Sequence, residues 1–538
     1  MATTQILHLD DTTAPSNPRR WQILGVLCVA LFVIVMDNTI VNVALPTLAR
    51  ELGAGTSSLQ WIVDAYTLVF AGLLLAAGGL GDRFGRKPAL IAGLVVFGSF
   101  SLLGALASST GQLIAARAVM GVGAALIFPT TLAIAVNVFT DARERAAAIG
   151  IWTAITGVAV ALGPISGGWL LEHFSWGSVF LVNVPVAASA AVAAWVLVPD
   201  SRDPRAPRLD LPGLGLSIAG VTLLVWSLIE APRHGWTSVA TLGGVAAAAS
   251  LLVVFVLWER RTPQPLLDVR LFRNMRFTGA SLAVTLGFFA LFGFIFLVTQ
   301  YFQLVKGYTA LQAGVRTVPF ALAMGIAAVS APAVVRRLGT KLVVAGGLAS
   351  MAVGFAIAAT NDATTPYRVI VAAMLLMGAG LGAAVAPATE SILGSLPAAK
   401  AGVGSAVNDT TREVGGTLGV AVLGSIMASL YGGRIADALS GAPIPAQAQA
   451  AAHDSLAAAL QVAQHVGGSA GAMIAATARD AFVHAFQVGS WVTGGVALAG
   501  ALIALVLLPA RARDEAITIE LDEEIAPEVE PVGVGDAR

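Results

Sequence analysis

Long apolar segments separated by short polar ones occupy the chain from Trp21 to Leu508. A helix needs about 20 mostly apolar residues to cross the hydrocarbon core of a bilayer. Fourteen segments have this character: Trp21–Leu45, Leu59–Gly79, Pro88–Ala107, Leu113–Val138, Ala146–Leu171, Ser178–Val198, Pro212–Leu228, Leu242–Trp258, Phe277–Tyr301, Ala310–Val335, Leu342–Ala359, Val369–Pro387, Val403–Leu430 and Ala481–Leu508. The pattern predicts an all-α integral membrane protein with fourteen transmembrane helices.

The composition agrees with a bilayer environment. Of the 538 residues, 57% are hydrophobic and 12% are charged, about half the charged fraction of a soluble domain. The 58 glycines suit helices that pack closely in lipid. The formal net charge of zero argues against a nucleic-acid partner, and the single cysteine, Cys28, excludes an internal disulfide.

The basic residues orient the predicted helices. With a cytoplasmic N-terminus, 23 of the 31 Lys and Arg residues fall on the inner side, 22 in loops and tails and Arg412 near the inner end of a span, and six fall outside. The remaining two, Arg117 and Arg316, lie deeper within spans. Since inner loops of membrane proteins are enriched in Lys and Arg, both termini are predicted to be cytoplasmic, in the cell's inner membrane. No small-residue cleavage site follows the first apolar segment, which favours a retained span over a signal peptide.

Two internal matches predict a duplicated architecture. "GGLGDRFGRK" after the second span resembles "PAVVRRLGTK" after the tenth at an offset of 254 residues, and "VMGVGAAL" resembles "LMGAGLGA" at an offset of 257. We therefore expect two pseudo-symmetric six-helix bundles, 21–198 and 271–510, with an inserted helix pair and inner loops in 199–270. The rest comprises a cytoplasmic tail at 1–20, an extracytoplasmic loop at 431–480 with one amphipathic helix, and an acidic tail at 511–538.

Several motifs carry a family resemblance. "GGLGDRFGRK" resembles the cytoplasmic loop motif of the major facilitator superfamily, and "MDNTIVNVALP" and "RAVMGVGAA" resemble first- and fourth-helix patterns of its fourteen-helix drug:proton antiporter branch. "GIWTAITGVAVALGPISGG" resembles the fifth-helix antiporter motif, with Ala159 replacing a usual glycine, and "WGSVFLVNVP" a further signature, with Gly177 replacing a usual arginine. The matching positions are Gly78, Leu80, Asp82, Arg83, Gly85, Arg86 and Lys87 in the loop motif, and Gly150, Gly163, Pro164, Gly167 and Gly168 in the antiporter motif.

The resemblance implies a secondary active transporter that exports amphipathic or cationic small molecules, such as drugs, antiseptics or antibiotics, in exchange for protons by alternating access. Its partners would be the small-molecule substrate, protons and the lipid bilayer. We expect no metal and no cofactor other than the proton gradient, and a monomeric protein.

Asp37 and Arg117 are the first candidates for the site. Asp37 lies about 24 Å along the first span, where a charge costs about 3 kcal/mol or more, so we expect it to face a cavity or a partner. There it can carry a proton or attract a cationic substrate. The alternative is a structural carboxylate capped by Asn38, Thr39 or Asn42. For Arg117 the resemblance implies a place near the proton pathway, and a plain structural ion pair is the alternative.

Asp64 and Asp409 are further candidates. Asp64 lies about one turn from the outer surface, where we expect a hydrated side chain that can act as a second titrating group. Asp409 lies one turn from Glu413 in the thirteenth span, and we expect a role in coupling.

The loop Asp82–Lys87 is predicted to be a conformational element. Asp82 would bind the N-terminus of the thirteenth helix near Gly402–Gly404 and hold the cytoplasmic side closed, because a helix dipole favours an anion there. The glycines and Pro164 of the fifth span would allow close packing and a bend between the halves, or ordinary membrane packing alone.

Three other functions remain open from the residues. One is an importer or symporter of a small metabolite, against which the fifth-helix motif argues. The second is a lipid-handling or non-transporting homologue. The third is a membrane enzyme, but HExxH and P-loop patterns are missing from the sequence and its six histidines are scattered.

Overall fold

The computed structural model describes residues 18–202, 209–396, 401–439 and 445–510. These residues form helices without any strand, and fourteen of the helical segments are long and apolar enough to cross a membrane, as predicted. In chain order, the first to fourteenth spans are Arg20–Glu51, Thr56–Phe84, Arg86–Ala105, Thr110–Val138, Arg143–His173, Ser178–Leu197, Leu211–His234, Val239–Glu259, Met275–Val305, Ala310–Leu338, Thr340–Ala358, Tyr367–Leu393, Val403–Leu439 and Gly468–Leu507. Residues 1–17 and the acidic tail 511–538 lie outside the described part.

Three spans are interrupted. The sixth consists of Ser178–Leu181 and Asn183–Leu197, and the ninth ends in a π-helical turn, Tyr301–Val305. The tenth consists of Ala310–Arg316 and Val318–Leu338, the second of which begins with a proline in its first turn. Proline is tolerated there because its missing N–H would have no partner within the helix.

The outer segment 431–480, in which one amphipathic helix is predicted, contains two short helices among its described residues. The thirteenth helix continues to Leu439, the fourteenth begins at Gly468, and two short helices lie between them, Ala446–Asp454 and Leu456–Val466. Ser455 separates the two short helices, because its backbone is extended and its side chain accepts a hydrogen bond from the Ala458 amide. A serine in this position starts a new helix.

The predicted repeat has a counterpart in the turns of both halves. Gly85 connects the second and third spans with φ of 114°, and Gly339 connects the tenth and eleventh with φ of 82°. These are left-handed backbone conformations that favour glycine. The two glycines are 254 residues apart, as in the sequence match.

The repeat also has a counterpart in helix packing. A Cβ atom on Gly121 would lie 2.6 Å from the Tyr66 carbonyl of the second span, so the fourth span approaches the second closely. In the second half, Gly378 of the twelfth span meets the Phe320 carbonyl of the tenth in the same way. Gly121 and Gly378 are the pair matched at the offset of 257.

The two halves meet in the middle and outer part of the membrane. Thr417 donates to Thr67 (3.0 Å) midway, and the amide of Gln60 donates to the carbonyls of Val420 (3.2 Å) and Ala421 (2.9 Å). Further outward, Gln303 donates to the Val43 carbonyl, the Leu311 amide to Glu172, Thr56 to the Asp454 carbonyl and Gln461 to the Arg50 carbonyl. Among the described residues, every hydrogen bond between the halves lies at the Thr67–Thr417 level or beyond it toward the side that the basic residues predict to be outer, so this conformation is closed on that side.

Candidate proton-coupling site

Asp37 is completely buried in the first span, and both of its carboxylate oxygens accept hydrogen bonds from other spans. Nη1 of Arg117, in the fourth span, donates to Oδ2, forming an ion pair between two fully buried side chains. Nδ2 of Asn183, at the start of the longer helix of the sixth span, donates to Oδ1 over 2.7 Å. The expected partner for this intramembrane carboxylate is therefore present.

Arg117 is held by the second span as well. Its Nε donates to the Ile62 carbonyl (3.0 Å), and its guanidinium lies 4.3 Å from the ring centroid of Tyr66, a cation–π contact. The Tyr66 hydroxyl in turn donates to the Ile34 carbonyl of the first span (3.1 Å). Nη2 of Arg117 is buried without a hydrogen-bond partner. Arg117 thus keeps one donor free in the middle of the protein.

Asn183 and Ser101 complete the site, and sequence reasoning missed both. Nδ2 of Asn183 also lies 3.1 Å from Ser101 Oγ, which donates to the Phe180 carbonyl (2.8 Å). Asn183 stands within the quoted signature "WGSVFLVNVP", so the motif could have identified it as a candidate site residue. Ser101 stands in an apolar segment without any motif, and only the folded geometry brings it to the site.

The polar neighbours of Asp37 in sequence do not cap its carboxylate. Asn42 donates to the Asn38 carbonyl (3.1 Å) and Thr39 donates to the Met36 carbonyl (3.1 Å), both within their own helix. Successive residues on a helix point in different directions. The alternative of a locally capped structural carboxylate is therefore not what the structure shows.

Asp64 is buried, and the expectation of a hydrated side chain near the outer surface is wrong. Its residue is 0% exposed, and neither carboxylate oxygen has a hydrogen-bond partner. The reason is the thirteenth span: Gln60 and Thr67, which lie one turn to either side, both bond to it and exclude water from this face. Asp64 thus lies at the contact between the two halves.

Asp409 and Glu413 lie in the inner half of the thirteenth span. Asp409 is 3.7 Å from Nη1 of Arg412 and accepts from Asn408 (3.4 Å), while Oε2 of Glu413 is buried without a partner.

The loop motif is tied to its own half. Oδ1 of Asp82 accepts from Nε of Arg86 (2.7 Å), and the Arg86 amide donates to the Ser201 carbonyl (2.9 Å). Arg83 is exposed, Lys87 is partly buried, and Gly78 lies in ordinary contact with Pro129. The segment 397–400, just before the thirteenth helix, lies outside the described part, so the contact of Asp82 with that helix stays a prediction.

The fifth-span motif divides into two parts. A Cβ atom on Gly163 would overlap Thr39, one on Gly167 would lie 2.5 Å from Ile40, and one on Gly168 would lie 2.5 Å from Cα of Leu311. These glycines let the fifth span touch the first and tenth spans. Gly150, by contrast, has no atom within 4 Å of its Cβ position. Pro164 lies inside the helix and its carbonyl meets Gly314 of the tenth span.

Among the described residues, no group of three or more His, Cys, Asp or Glu side chains could hold a metal ion. The site consists of one ion pair, an amide, a serine and an aromatic ring, which together surround a buried carboxylate with hydrogen-bond donors.

Comparisons with known proteins identify the family. The family model for the Major Facilitator Superfamily matches residues 27–420. The multidrug efflux pump LfrA of Mycolicibacterium smegmatis is 36% identical over 501 residues, covering 93% of this chain and 97% of LfrA. The methyl viologen resistance protein SmvA of Salmonella typhimurium is 34% identical over 481 residues, covering 89% and 96%.

The fold has solved counterparts. The inward-facing, unoccupied crystal structure of a bacterial homologue of the human lysosomal transporter Spinster matches with a TM-score of 0.65 at 17% identity, covering 93% of this chain and all of the other. At this identity the likeness concerns the fold alone. With the family model, the relatives and fourteen apolar helices in agreement, the chain belongs to the major facilitator superfamily, as a multi-pass membrane transporter and not an enzyme.

Proposed function

We propose that the protein exports amphipathic or cationic drugs from the cell in exchange for protons. The observation that carries the proposal is Asp37, a fully buried carboxylate bonded to Arg117 and Asn183 from two other spans. The relatives named as a multidrug efflux pump and a methyl viologen resistance protein support the substrate class, since methyl viologen is a dication. The orientation is with both termini in the cytoplasm, and the unit is a monomer.

In this mechanism the Asp37 carboxyl alternates between two states: it is either protonated and neutral, or ionised and paired with Arg117. Protonation removes the charge that Arg117 binds, which weakens the bond between the first and fourth spans. Arg117 keeps its bond to the Ile62 carbonyl and its contact with Tyr66 while its partner is neutral. When the proton leaves, the carboxylate again binds Arg117. A cationic substrate competes with the proton for the same negative charge, which gives exchange.

Asp64 and the pair Asp409–Glu413 provide further proton-binding groups at the contact between the halves. Asp64 has no hydrogen-bond donor in this conformation, and a buried, unpaired carboxylate is costly. Movement of the second span against the thirteenth would change its surroundings. Asp64 therefore acts as a second proton carrier that is coupled to the conformational change.

The motif residues serve alternating access. Gly168 and Pro164 meet the tenth span and close the outer side, while Gly163 and Gly167 pack the fifth span against the first within one half. The loop of Gly78, Asp82, Arg83, Gly85, Arg86 and Lys87 closes the cytoplasmic side in the opposite conformation, when Asp82 leaves Arg86 for the thirteenth helix.

The test is ethidium transport in proteoliposomes with an imposed proton gradient. The native protein is expected to transport ethidium when the gradient is present and to stop when an ionophore removes it. Asp37→Asn is expected to lose gradient-driven transport, while Asp480→Asn, at an exposed outer carboxylate, retains it. Undiminished transport by a folded Asp37→Asn protein would reject the role of Asp37, and absence of native transport of any cation tested would reject the function.

A further inference from the structure

Two carboxyl groups meet at the inner ends of the inserted helix pair, outside the Asp37 site. Asp210 lies directly before the seventh span, and Glu259 is the last residue of the eighth. Both are buried, with Asp210 8% and Glu259 3% exposed. A Cβ atom on Gly213 would overlap Oδ2 of Asp210 and Oε1 of Glu259 at once, so these two oxygens border the same small space.

The hydrogen-bond donors around the two groups are too few for two charges. Asp210 accepts from the Gly213 amide (3.0 Å) and from the indole of Trp258 (2.9 and 3.0 Å). Oε2 of Glu259 accepts from the Leu267 amide (3.0 Å). Oε1 of Glu259, which faces Asp210, is buried without a hydrogen-bond partner. A buried carboxylate oxygen needs a donor, and the group that faces this one is another acceptor.

Among the described residues, no cation balances the two carboxyl groups. Asp210 is the charged side chain that acts electrostatically on Glu259. If both groups are ionised, the contact therefore brings two like charges together. The charged side chains of the adjoining segments are exposed or bonded elsewhere: Arg202, Arg260, Arg261 and Arg270 are exposed, Asp268 accepts from the Arg270 amide, and Asp82 of the second span accepts from Arg86.

A single proton between the two groups removes both problems. Protonated Glu259 donates from Oε1 to Oδ2 of Asp210, which supplies the missing donor and leaves one negative charge instead of two. The Gly213 amide and the Trp258 indole stabilise the remaining charge, because hydrogen bonds to an ionised group are the stronger ones. Carboxyl groups that share a site resist ionising together, so the proton belongs to the pair.

The carboxyl pair joins segments that contact different halves of the protein. Just before the pair, Leu209 packs on the second span, 3.5 Å from the Cβ position of Gly79. On the other side, Glu259 binds the linker 260–274, which leads into the ninth span. The Phe272 carbonyl of this linker accepts a hydrogen bond from the ninth span (2.6 Å). The pair thus lies within an indirect connection between the two halves at the inner ends of the spans.

We propose that Asp210 and Glu259 form a proton-binding site on the predicted cytoplasmic side, where one bound proton fastens the inserted helix pair to the linker. When the surrounding pH rises and the proton leaves, two facing carboxylates repel each other and the linker loosens. The connection between the halves through the inserted pair then weakens. The site makes the inner side of the protein responsive to pH independently of the exchange at Asp37, and so goes beyond the proposed function.

Thermal unfolding of the purified full-length protein as a function of pH provides the first test. In the unfolded chain the two carboxyl groups are separate and ionise by about pH 5. The folded protein retains the shared proton above that pH, so it binds one proton more than the unfolded chain, and its stability falls as the pH rises. Between about pH 5 and about pH 9, the melting temperature should fall by a few degrees more in the native protein than in Glu259→Gln.

The variants separate the proton from the contact itself. Glu259→Gln keeps the shape of the side chain and supplies a donor to Asp210 without a proton. Asp210→Asn keeps the acceptor for the Gly213 amide and donates to Glu259, so it should lose the same part of the pH dependence. Glu230→Gln is the matched control, because this carboxyl group lies near the outer end of the seventh span and pairs with Arg233 (3.3 Å). Its pH dependence should equal that of the native protein.

Infrared difference spectra detect the proton directly. Raising the pH should convert one more protonated carboxyl group to carboxylate in the native protein than in Glu259→Gln or Asp210→Asn. Two results would overturn the proposal. Equal pH dependence of the melting temperature in the native protein and both variants would show that the pair binds no proton in the folded state. An equal loss of the carboxylic acid band in the native protein and both variants would show the same.

Discussion

Asp37 and Arg117 form a buried ion pair whose stability depends on three other polar groups. The amide of Asn183, the carbonyl of Ile62 and the ring of Tyr66 each contact one member of the pair. A buried ion pair gains little over apolar residues of the same volume, but removing one member leaves an uncompensated charge. The contribution of the pair to folding stability therefore does not explain its presence. A function that needs a carboxyl group able to gain and lose its charge explains it better.

Removal of Arg117 alone should lower the stability of the folded protein more than removal of both charges. Arg117→Met leaves Asp37 with only the Asn183 amide, and breaking a buried pair in this way costs about 3–5 kcal/mol. The double variant Asp37→Asn with Arg117→Met should recover a clear part of the lost stability. Thermal unfolding of the four proteins of this cycle measures the coupling. A double variant as unstable as the sum of the single variants would show that the two side chains do not interact.

Asn183→Ala should lower both stability and transport. The substitution removes a hydrogen bond to a charged group, which is worth about 1.5–3 kcal/mol, and leaves Oδ1 of Asp37 unpaired. Ser101→Ala, which removes a neutral partner of the same amide, should have a smaller effect on ethidium transport. Equal effects of the two substitutions would mean that Asn183 acts only in packing the third and sixth spans.

The sequence predicts the charged residues of the site but not its neutral polar residues, and the difference has a physical reason. Asp37 and Arg117 stand out because a charge inside an apolar segment is costly in lipid. Ser101 and Asn183 carry no such cost, so they do not stand out until the sixth span is placed against the first and third. The depth of Asp64 along its own helix predicts a position near water. The sequence pattern does not show that the thirteenth span covers this side chain.

At the scale of helices, glycines in one motif differ in what they touch. Gly168→Ala should weaken the outer closure, because its Cβ would lie 2.5–2.8 Å from backbone atoms of Ala310 and Leu311, which cannot rotate away. Gly150→Ala meets no atom and should be neutral or stabilise by up to about 1 kcal/mol, since alanine favours helix. Ethidium transport and melting temperature of the two variants test this. Unchanged transport and melting temperature in Gly168→Ala would show that the fifth and tenth spans separate easily.

The inserted helix pair is joined at its inner ends by a contact between two carboxyl groups. Asp210 accepts from the Gly213 amide and the Trp258 indole, and Glu259 lies against it with Oε1 otherwise unpartnered. Glu259→Gln removes like-charge repulsion and supplies a donor, so the melting temperature should be equal or higher. Asp210→Ala removes the helix cap, worth about 1 kcal/mol, and should lower it. A lower melting temperature in Glu259→Gln than in Asp210→Ala would contradict the described contact.

Over the whole molecule, the outer closure depends on few polar bridges. Gln60 is 0% exposed and donates to two carbonyls of the thirteenth span. Gln60→Ala removes both bonds, at about 1 kcal/mol each, and should raise the population open to the outside by about tenfold or more. The rate at which an impermeant maleimide labels a Leu59→Cys reporter from outside measures this population. Gln112→Ala, at an exposed glutamine whose side chain bonds to Ser108 of its own half, should leave the rate unchanged. An unchanged rate in Gln60→Ala would show that the two Gln60 bonds do not keep the outer side closed.

The fourteen spans were predictable because the bilayer fixes the length that each span needs. The offsets of 254 and 257 predicted the duplication, and Gly85 with Gly339, and Gly121 with Gly378, have the same conformation or packing in both halves. The two short helices near Ser455 were not predicted, because helices outside the membrane are not subject to the length constraint. The contacts between the two halves depend on which helix faces meet, and the apolar pattern of the spans does not specify these faces.

In the proposed mechanism protons and substrate exchange at the Asp37 site, and the release of protons on substrate binding is the most direct measure of this exchange. Ethidium is added to purified protein in weakly buffered solution, and a pH indicator records the protons released. The native protein should release protons as ethidium binds and should bind ethidium more tightly as the pH rises, while Asp37→Asn releases fewer protons. Ethidium binding without proton release, and with an affinity independent of pH, would contradict exchange.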